Sequence, residues 1–525
     1  MSEINKNMKP IPAEKFKFVN QGEKLSDQKF EDKPVGYFKD AWIRFRKSNA
    51  AVVATVIIVL IILYAFLAPL MITSHDSTFM VNMYAKKPAR VASLAQLGIF
   101  DGGVNRSFSE KDLIRAVGMG VGAENWDGEG VSVKDALESE YQPMIDIGEE
   151  QIVMGAGKKE SKSYACRIDS YLEVGFFYRS IAQSELANIQ AWEQQTGKKV
   201  LYPLVEDNEW NLDATDANNW YKSKKGTPVS LNANGKATLL EYSEDLVLED
   251  NYKRDADGNP IYYEFTGGGT LETAQYKVRV LYYNYYQYLY GSTPDYILGT
   301  DSQGYDLALR IAGGIKLSLL VAVCVCVINF VLGAIYGAIE GYYGGTVDII
   351  LERVSDILWN VPFIVVATLF QIHLSTKLGA IPCLLFAYVV TGWISTASRV
   401  RTQFYRFKNQ EYVMAARTLG ARDRRIIWKH IFPNSLGTII TSSALAIPST
   451  MLSESMLSFL GIVKLGTAES TSLGTLLSDA SAIWTNYPHL MIYPAIVISL
   501  LMICFNLFGN GLRDAFNPAL RGVEE

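Results

Sequence analysis

Few residues in this chain could carry out chemistry, and those that could are not arranged for catalysis. Only four His occur among 525 residues, and no nucleophile, general base and orienting group can be nominated together. The unusual acid is Glu454, which lies inside an apolar stretch, where a charged group is costly unless it faces other helices or water. We therefore expect no catalytic residue, and no metal or cofactor bound to the chain directly.

A basic segment between residues 410 and 434 has a pattern suited to contact with another surface. It reads QEYVMAARTLGARDRRIIWKHIFPN, which predicts two short helices separated at Gly420, a residue that readily adopts a left-handed helix cap. Asp423 suits the first turn of the second helix, and Pro433 is expected to end that helix. The predicted apolar side of the first helix holds Val413, Ala416 and Leu419.

The partner of this segment stays open from composition alone. Small side chains at Ala415 and Ala416 would let the surface of another protein approach the backbone closely, and the arginines offer complementary charge. A basic helical hairpin could equally lie on a lipid surface.

Six apolar stretches are candidates for membrane-spanning helices that would position this segment. The first, residues 50–72, has no charge across 23 positions and as a helix extends about 34 Å, enough for a hydrocarbon core of about 30 Å. Pro362 is expected to kink the third stretch. The five stretches that follow the first one, after a gap of more than 240 residues, are 317–339, 357–374, 380–398, 436–459 and 490–508.

Charge predicts the orientation of these spans. Arg44, Arg46 and Lys47 precede the first span, which places the amino terminus in the cytoplasm. Six crossings return the carboxyl terminus to the cytoplasm and put residues 397–434 inside, where nine Lys and Arg oppose two acids. We thus expect a multi-pass protein of the cell membrane. Its predicted parts are an inner tail (1–49), a first span (50–72), an outer insertion (73–300) and a five-span core (301–525) with an inner loop at 401–434.

The outer insertion differs from the rest of the chain in charge and composition. Residues 76–300 carry 33 acidic and 22 basic side chains, a net charge of −11, whereas the whole chain carries −5. A mean hydropathy of +0.09 for the whole chain also indicates a hybrid of spans and soluble mass. We expect one α+β domain of about 200 residues. Residues 184–195 predict a helix capped by Ser184, and residues 276–290 favour strands whose tyrosines pack in the domain core rather than on a ligand.

A resemblance to a known family rests on the basic segment. Ala415, Ala416 and Gly420, with Pro433 thirteen residues after the glycine, resemble the EAA loop of ABC importer permeases. The wider sequence is similar to the C-type permease of the dipeptide/oligopeptide family, over the first span and nearly everything after residue 295. The motifs that carry this similarity, in order, are LGTDSQGYD (298–306), EGYYGGTVD (340–348), HIFPN (430–434), MLSESMLSFLG (451–461) and GNGLRDAFNP (509–518).

This resemblance implies the fold and the partners. The fold would be an α-helical integral membrane protein with six transmembrane helices of the type I ABC importer permease fold, carrying a large α+β extracytoplasmic insertion between the first and second helices. A homologous second permease, two ATP-binding subunits that use ATP and Mg, and an extracytoplasmic peptide-binding protein would complete a peptide importer. Nucleic acid is not an expected partner.

The resemblance also implies two sets of site residues. Those expected to couple to the ATPase subunits are Glu411, Ala415, Ala416, Gly420, Asp423, Arg424, His430 and Pro433. Those expected along the translocation path are Glu454, Asn329 and Asn360. Glu454 could line the path and meet the amino terminus of the peptide, or it could pair with a polar group of the second permease.

Other functions stay open beside the peptide importer. Related permeases carry nickel and other small solutes, and sequence alone does not separate import from export. A membrane-anchored extracellular receptor would use the insertion but leave the basic loop and five spans unexplained. An integral membrane hydrolase lacks a set of catalytic residues. From its charge and size we expect the insertion to form an acidic collar over the outer mouth that docks the delivery protein.

Overall fold

The computed structural model of the protein describes residues 37–73, 76, 78–95, 97–121, 130–154, 160–210, 215–224, 227–231, 236–268, 274–466 and 471–516. Most of the predicted inner tail, residues 1–36, lies outside the described residues, as does the end of the GNGLRDAFNP motif. The helices are α1 Tyr37–Lys47, α2 Asn49–Met71, α3 Ala92–Ala95, α4 Glu110–Gly118, α5 Val133–Leu137, α6 Gln183–Thr196, α7 Tyr282–Tyr290, α8 Leu307–Tyr343, α9 Gly345–Trp359, α10 Phe363–Leu378, α11 Ala380–Thr391, α12 Ile394–Phe407, α13 Glu411–Thr418, α14 Asp423–Arg425, α15 Phe432–Ala444, α16 Ala446–Phe459, α17 Leu473–Ser481 and α18 His489–Phe516.

The strands all lie between α2 and α8 and form small antiparallel sheets. They are β1 Gly103–Ser109, β2 Val131–Ser132, β3 Met144–Met154, β4 Glu160–Asp169, β5 Phe176–Ala182, β6 Leu201–Tyr202, β7 Ser223–Lys224, β8 Thr227–Leu231, β9 Ala237–Leu239, β10 Val247–Leu248, β11 Tyr263–Gly267 and β12 Gln275–Leu281. The sheet orders are β1-β4-β3, β11-β12-β5 with β6 also on β12, β7-β8-β9, and β10-β2.

Membrane-spanning capacity follows the predicted stretches. Within the described residues, five helical segments are long and apolar enough to cross a bilayer: Asn49–Met71, Leu307–Tyr343, Ala380–Phe407, Asp423–Phe459 and His489–Phe516. The α9–α10 pair passes the same test only when taken together, and it is bent by 70°. The break falls at Pro362, where a proline lacks an N–H and disfavours a helical conformation at the residue before it.

The long helix α8 lies at the centre of the membrane bundle and packs closely on α12. Gly333, Gly337 and Gly341 recur every four residues and so face one side of α8. A Cβ added at Gly337 would collide with the carbonyl oxygen of Ala397 on α12. Small residues at such a crossing let two helix backbones approach without intervening side chains, which strengthens packing in lipid.

Two details of the insertion correct the sequence expectations. Residues 282–290 form helix α7 and not a strand, because Tyr282, Tyr285 and Tyr286 fall at helical spacing and bury their rings in a core with Tyr84. The helix predicted from 184–195 is present as α6, but Ser184 does not cap it, since the N-cap position is Ala182. The preference for core packing of the tyrosines is confirmed for these buried rings.

The LGTDSQGYD motif joins the insertion to the start of α8. One oxygen of the Asp301 carboxylate accepts hydrogen bonds from the backbone N–H groups of residues 303–305, and the other accepts from Arg310 Nε at 3.1 Å. Asp306 caps α8 by accepting from Ala308 N at 2.8 Å. The two ends of the insertion also meet, because Arg90 pairs with Tyr296 through reciprocal backbone hydrogen bonds. The insertion is therefore fixed to the helix bundle at one base.

Candidate coupling loop and transport cavity

The basic segment folds as two helices that meet at Gly420. Helix α13 ends at Thr418, Gly420 takes a positive φ of 80°, and the next helix begins at Asp423. Val413 is 0% exposed and belongs to one apolar cluster with Phe404 of α12. The prediction of a helical elbow at this glycine is thus confirmed, and its inner side is packed on the bundle.

Pro433 does not end the second helix, contrary to the expectation. A π-helical turn, Ile426–Ile431, precedes the proline, and the helical segment continues to Phe459. In a π turn the backbone hydrogen bonds join residues five apart instead of four. A proline can therefore follow the turn without leaving unpaired the carbonyl oxygen that its missing N–H would otherwise bond, four residues earlier. The elbow is therefore continuous with the helical segment that contains α15 and α16 and is able to span a membrane.

One polar contact ties the elbow to the C-terminal end of α8. The hydroxyl of Tyr342 donates to Oδ1 of Asp423 at 2.6 Å, and the Arg417 guanidinium lies 5.8 Å from the centre of the Tyr342 ring. Asp423 thus serves both the first turn of its helix and the contact to α8.

The outer side of the elbow exposes large apolar side chains with a basic rim. Leu419 was expected to share the side of Val413, but it is 88% exposed, because it occupies the C-cap position after the last helical turn. Met414 is 56% exposed on the same outer surface. A shallow groove of about 560 Å³ beside them is lined by Arg422, Arg424, Arg425, Trp428 and Lys429. An apolar patch with a charged rim is typical of a protein-binding surface.

The predicted coupling residues occupy different positions on this elbow. Glu411, Ala415 and Arg424 are exposed, whereas Ala416 and His430 are half-buried. A Cβ added at Gly420 would meet no atom within 4 Å in the described part of the chain. The surface around Gly420 is consequently open to a second protein.

A polar cavity of about 590 Å³ opens among α8, α11, α12, α15, α16 and α18. Its lining residues are Cys326, Asn329, Tyr388, Gly392, Ser395, Thr396, Arg399, Thr438, Thr441, Ser442, Ser443, Leu445, Ala446, Ser449, Thr450, Ser453 and Arg513. Asn329, one of the residues predicted along the path, lines this cavity. Asn360 does not: it is exposed at the α9–α10 break, where its amide donates to the carbonyl oxygen of Asp356 at 2.7 Å. The sequence signal that was missed is the run of hydroxyl side chains within two otherwise apolar stretches.

Glu454, a third residue predicted along the path, is not among the residues that line this cavity. Its side chain is 0% exposed and accepts hydrogen bonds from Ser318 at 2.9 Å and Ser458 at 3.0 Å. The carboxylate is therefore satisfied by hydroxyl groups of its own chain, which joins α16 to α8. This contact holds two spans together.

We predict that the Glu454→Gln variant transports its substrate within about twofold of wild type, because the amide keeps an oxygen that accepts from Ser318. Glu454→Leu, in contrast, leaves the buried hydroxyl groups without an acceptor and should lower the thermal stability of the purified protein. Uptake and thermal unfolding of both variants check this. Loss of uptake in Glu454→Gln at unchanged stability would show that the charge itself serves transport.

A second, partly buried polar cluster lies where the C-terminal end of α8 meets α9 and α12. Arg401 of α12 donates from Nε to Asp348 of α9 at 2.6 Å and from one terminal nitrogen to Glu352 at 2.9 Å. Glu340 of α8 approaches the same guanidinium at 3.7 Å. Arg401 thereby joins three helices, and the acids of the EGYYGGTVD motif are its partners.

Comparisons with known proteins agree with these features. The family model described as "Binding-protein-dependent transport system inner membrane component" matches residues 330–522, and the one described as "N-terminal TM domain of oligopeptide transport permease C" matches residues 36–88. The chain is 40% identical over 228 residues to the oligopeptide transport system permease protein OppC of Bacillus subtilis, covering 43% of this chain and 73% of that protein. It is 43% identical over 225 residues to the oligopeptide transport system permease protein OppC of Haemophilus influenzae, covering 42% of this chain and 70% of that protein. The dipeptide transport system permease protein DppC of Bacillus subtilis is 40% identical to this chain over 229 residues, covering 43% of this chain and 70% of that protein.

Proposed function

Because the chain belongs to the dipeptide/oligopeptide family of ABC importer permeases, we propose that it moves peptides into the cell through a path shared with a homologous second permease. It is a non-catalytic membrane subunit of the transporter. Two ATP-binding subunits hydrolyse ATP with Mg, and an extracytoplasmic binding protein delivers the peptide. The residues at 411–429 form the contact to one ATPase subunit.

The observation that carries this proposal is the shape of the elbow. Its inner side is buried on α12, its helix continues into a span, and its outer side presents exposed Leu419 and Met414 beside a basic groove. Closure of the ATPase pair would move such an elbow as a rigid piece and tilt the attached spans between outward-open and inward-open states.

The proposed topology has six spans, with the bent α9–α10 pair as the third. The chain is a multi-pass membrane protein with several helices able to cross the bilayer. Both termini would lie in the cytoplasm, which is supported by the basic residues before the first span and by the net basic loop at 397–434. The sheets and helices between α2 and α8 would form an extracytoplasmic α+β domain.

Reconstitution tests the transport function. The four kinds of subunit and the binding protein are assembled in proteoliposomes, and ATP-dependent uptake of a labelled oligopeptide is measured. Peptide uptake that requires both ATP and the binding protein is the expected result. Uptake of Ni²⁺ without uptake of peptide would favour the small-solute permease instead. ATP-dependent movement of peptide only from the cytoplasmic side of the membrane to the opposite side would indicate an exporter.

The insertion is proposed to dock the binding protein through its acidic surface. Support comes from its net charge of −11 and from its fixed base at α8. Excision of residues 92–294, with a short Gly-Ser linker, preserves the Arg90–Tyr296 pairing at that base. We predict that this deletion leaves assembly intact and weakens binding-protein affinity at least about tenfold at low salt, because charge attraction is lost. Unchanged affinity in a binding titration would refute the acidic collar.

A further inference from the structure

Two positive charges lie unpaired in the wall of the polar cavity. Arg399 comes from α12 and Arg513 from the last turn of α18, both toward the end of the cavity nearer the elbow. Among the described lining residues none is acidic, and neither guanidinium forms an ion pair in the described part of the chain. The nearest polar contact of Arg399 is the carbonyl oxygen of Ser442, at 3.5 Å. This end of the cavity therefore attracts an anion.

The remainder of the cavity wall offers hydrogen-bond acceptors. The hydroxyl groups of Thr441, Ser442 and Ser443 donate to backbone carbonyls of the preceding turn of α15, at 3.0, 2.9 and 3.0 Å. Their lone pairs remain able to accept hydrogen bonds. The side-chain oxygen of Asn329 is buried and has no hydrogen-bond partner in the described residues.

Gly392, at the C-cap of α11, leaves the space that the Asn329 amide occupies. A Cβ at this position would collide with the amide nitrogen of Asn329, so only glycine lets the amide lie there. An unpaired buried oxygen costs about 1–3 kcal/mol unless a ligand or water supplies a donor. The acceptors and the two arginines together complement a chain of amide N–H groups that ends in a carboxylate.

We propose that Arg399 and Arg513 bind the C-terminal carboxylate of the transported peptide, while Asn329 and the hydroxyl groups accept hydrogen bonds from its main chain. This inference rests on the proposed transport function and deepens it. It assigns the substrate class as peptides with a free C-terminal carboxylate. It also predicts weak selectivity among side chains, because the contacts are made to groups that every peptide has. A volume of about 590 Å³ lies within the range of small-ligand sites.

The same arginines could bind the phosphate of an anionic lipid, since a phosphate and a carboxylate both present negatively charged oxygens to a guanidinium. Lipid binding would influence every substrate equally and would depend on membrane composition. Carboxylate binding would instead separate a peptide acid from its amide. The two sources of the anion therefore give different patterns of uptake.

The test uses the complete transporter in proteoliposomes, prepared with and without phosphatidylglycerol. Uptake is measured for one oligopeptide as the free acid and as its C-terminal amide, for wild type, Arg399→Gln, Arg513→Gln and Arg399→Lys. Arg406→Gln is the matched control, because Arg406 lies on the same helix, is exposed, and does not line the cavity. The binding protein is the same throughout, so its own preference for acid or amide cancels when the acid-to-amide ratio of a variant is compared with that of wild type.

We expect each Gln variant to lower the acid-to-amide uptake ratio about tenfold, because a charge-assisted hydrogen bond is lost. Arg399→Lys should recover part of the ratio, and Arg406→Gln should keep the wild-type ratio. An unchanged ratio in both Gln variants overturns the carboxylate site, and so does an equal loss for acid and amide that requires phosphatidylglycerol. If wild type imports neither peptide, the transport function itself fails, which is a separate result.

Discussion

The Gly420→Asp variant is expected to lose peptide-stimulated ATP hydrolysis by at least about tenfold, corresponding to 1.4 kcal/mol or more of lost coupling. The substitution adds a charged side chain where the described chain leaves open space, so in the proposed complex it would meet atoms of the ATPase subunit. It also places a non-glycine residue at a φ of 80°, which costs about 1 kcal/mol and loosens the cap between the two helices. ATPase activity of the reconstituted transporter, with and without peptide-loaded binding protein, measures the loss.

Gly197→Asp is the matched control for this variant. Gly197 caps the carboxyl end of α6 in the insertion, with a φ of 73° and no atom within 4 Å of an added Cβ. The local backbone strain is therefore the same, whereas an ATPase contact is not expected there. Peptide stimulation should stay at the wild-type level in Gly197→Asp. Wild-type stimulation in Gly420→Asp as well would mean that no ATPase subunit encloses the elbow.

A bulky residue at Ala416 separates docking from backbone strain. Ala416 lies within α13, so Ala416→Trp alters size without changing a positive φ. Because Ala416 is half-buried, part of the added ring must extend toward the docking surface. We expect the same loss of peptide stimulation, together with weaker co-purification of the ATP-binding subunits. Retained ATPase subunits with full stimulation would contradict a close fit at this position.

The sequence predicted those features that depend on residues near each other in the chain. The glycine junction at 420 and the helix break at Pro362 follow from local backbone preferences, and both are present. The positions of the apolar stretches follow from composition, and each helix or helix pair with membrane-spanning capacity overlaps one predicted stretch. The resemblance in the EAA loop predicted the family, to which the chain belongs.

Features that depend on distant residues were not predictable in the same way. Glu454 accepts hydrogen bonds from Ser458, four residues away, and from Ser318, which lies 136 residues earlier. The contact with Ser318, which joins α16 to α8, has no local signal in the sequence. The run at 282–290 alternates enough to suggest a strand, yet contacts with Tyr84, far along the chain, favour a helix. Leu419 fits an apolar helix side by spacing, but the helix ends one residue earlier. In each case tertiary packing overrides a local pattern.

Arg401→Met is expected to destabilise the protein by about 3–5 kcal/mol, because it leaves a cluster of carboxylates without its only shared cation in the described structure. Asp348 and Glu340 are both buried, so these two carboxylates depend on the guanidinium more than Glu352, whose side chain is 45% exposed. The three carboxylates lie on α8 and α9, and their mutual repulsion would loosen the packing of these helices on α12. Thermal unfolding of the detergent-solubilised protein should show a clear decrease in Tm.

Arg353→Met provides the comparison that isolates burial from charge. Arg353 also pairs with an acid of α9, Asp356, at 3.3 Å, but its side chain is 76% exposed and such a pair contributes about 0–1 kcal/mol. Its Tm should stay close to wild type. Adding Asp348→Asn to Arg401→Met should restore part of the stability, because one buried charge is removed from the repulsive cluster. Equal decreases in Tm for Arg401→Met and Arg353→Met would show that the cluster does not hold α8, α9 and α12 together. Coupling from the elbow would then have to pass through α15 and α16 alone.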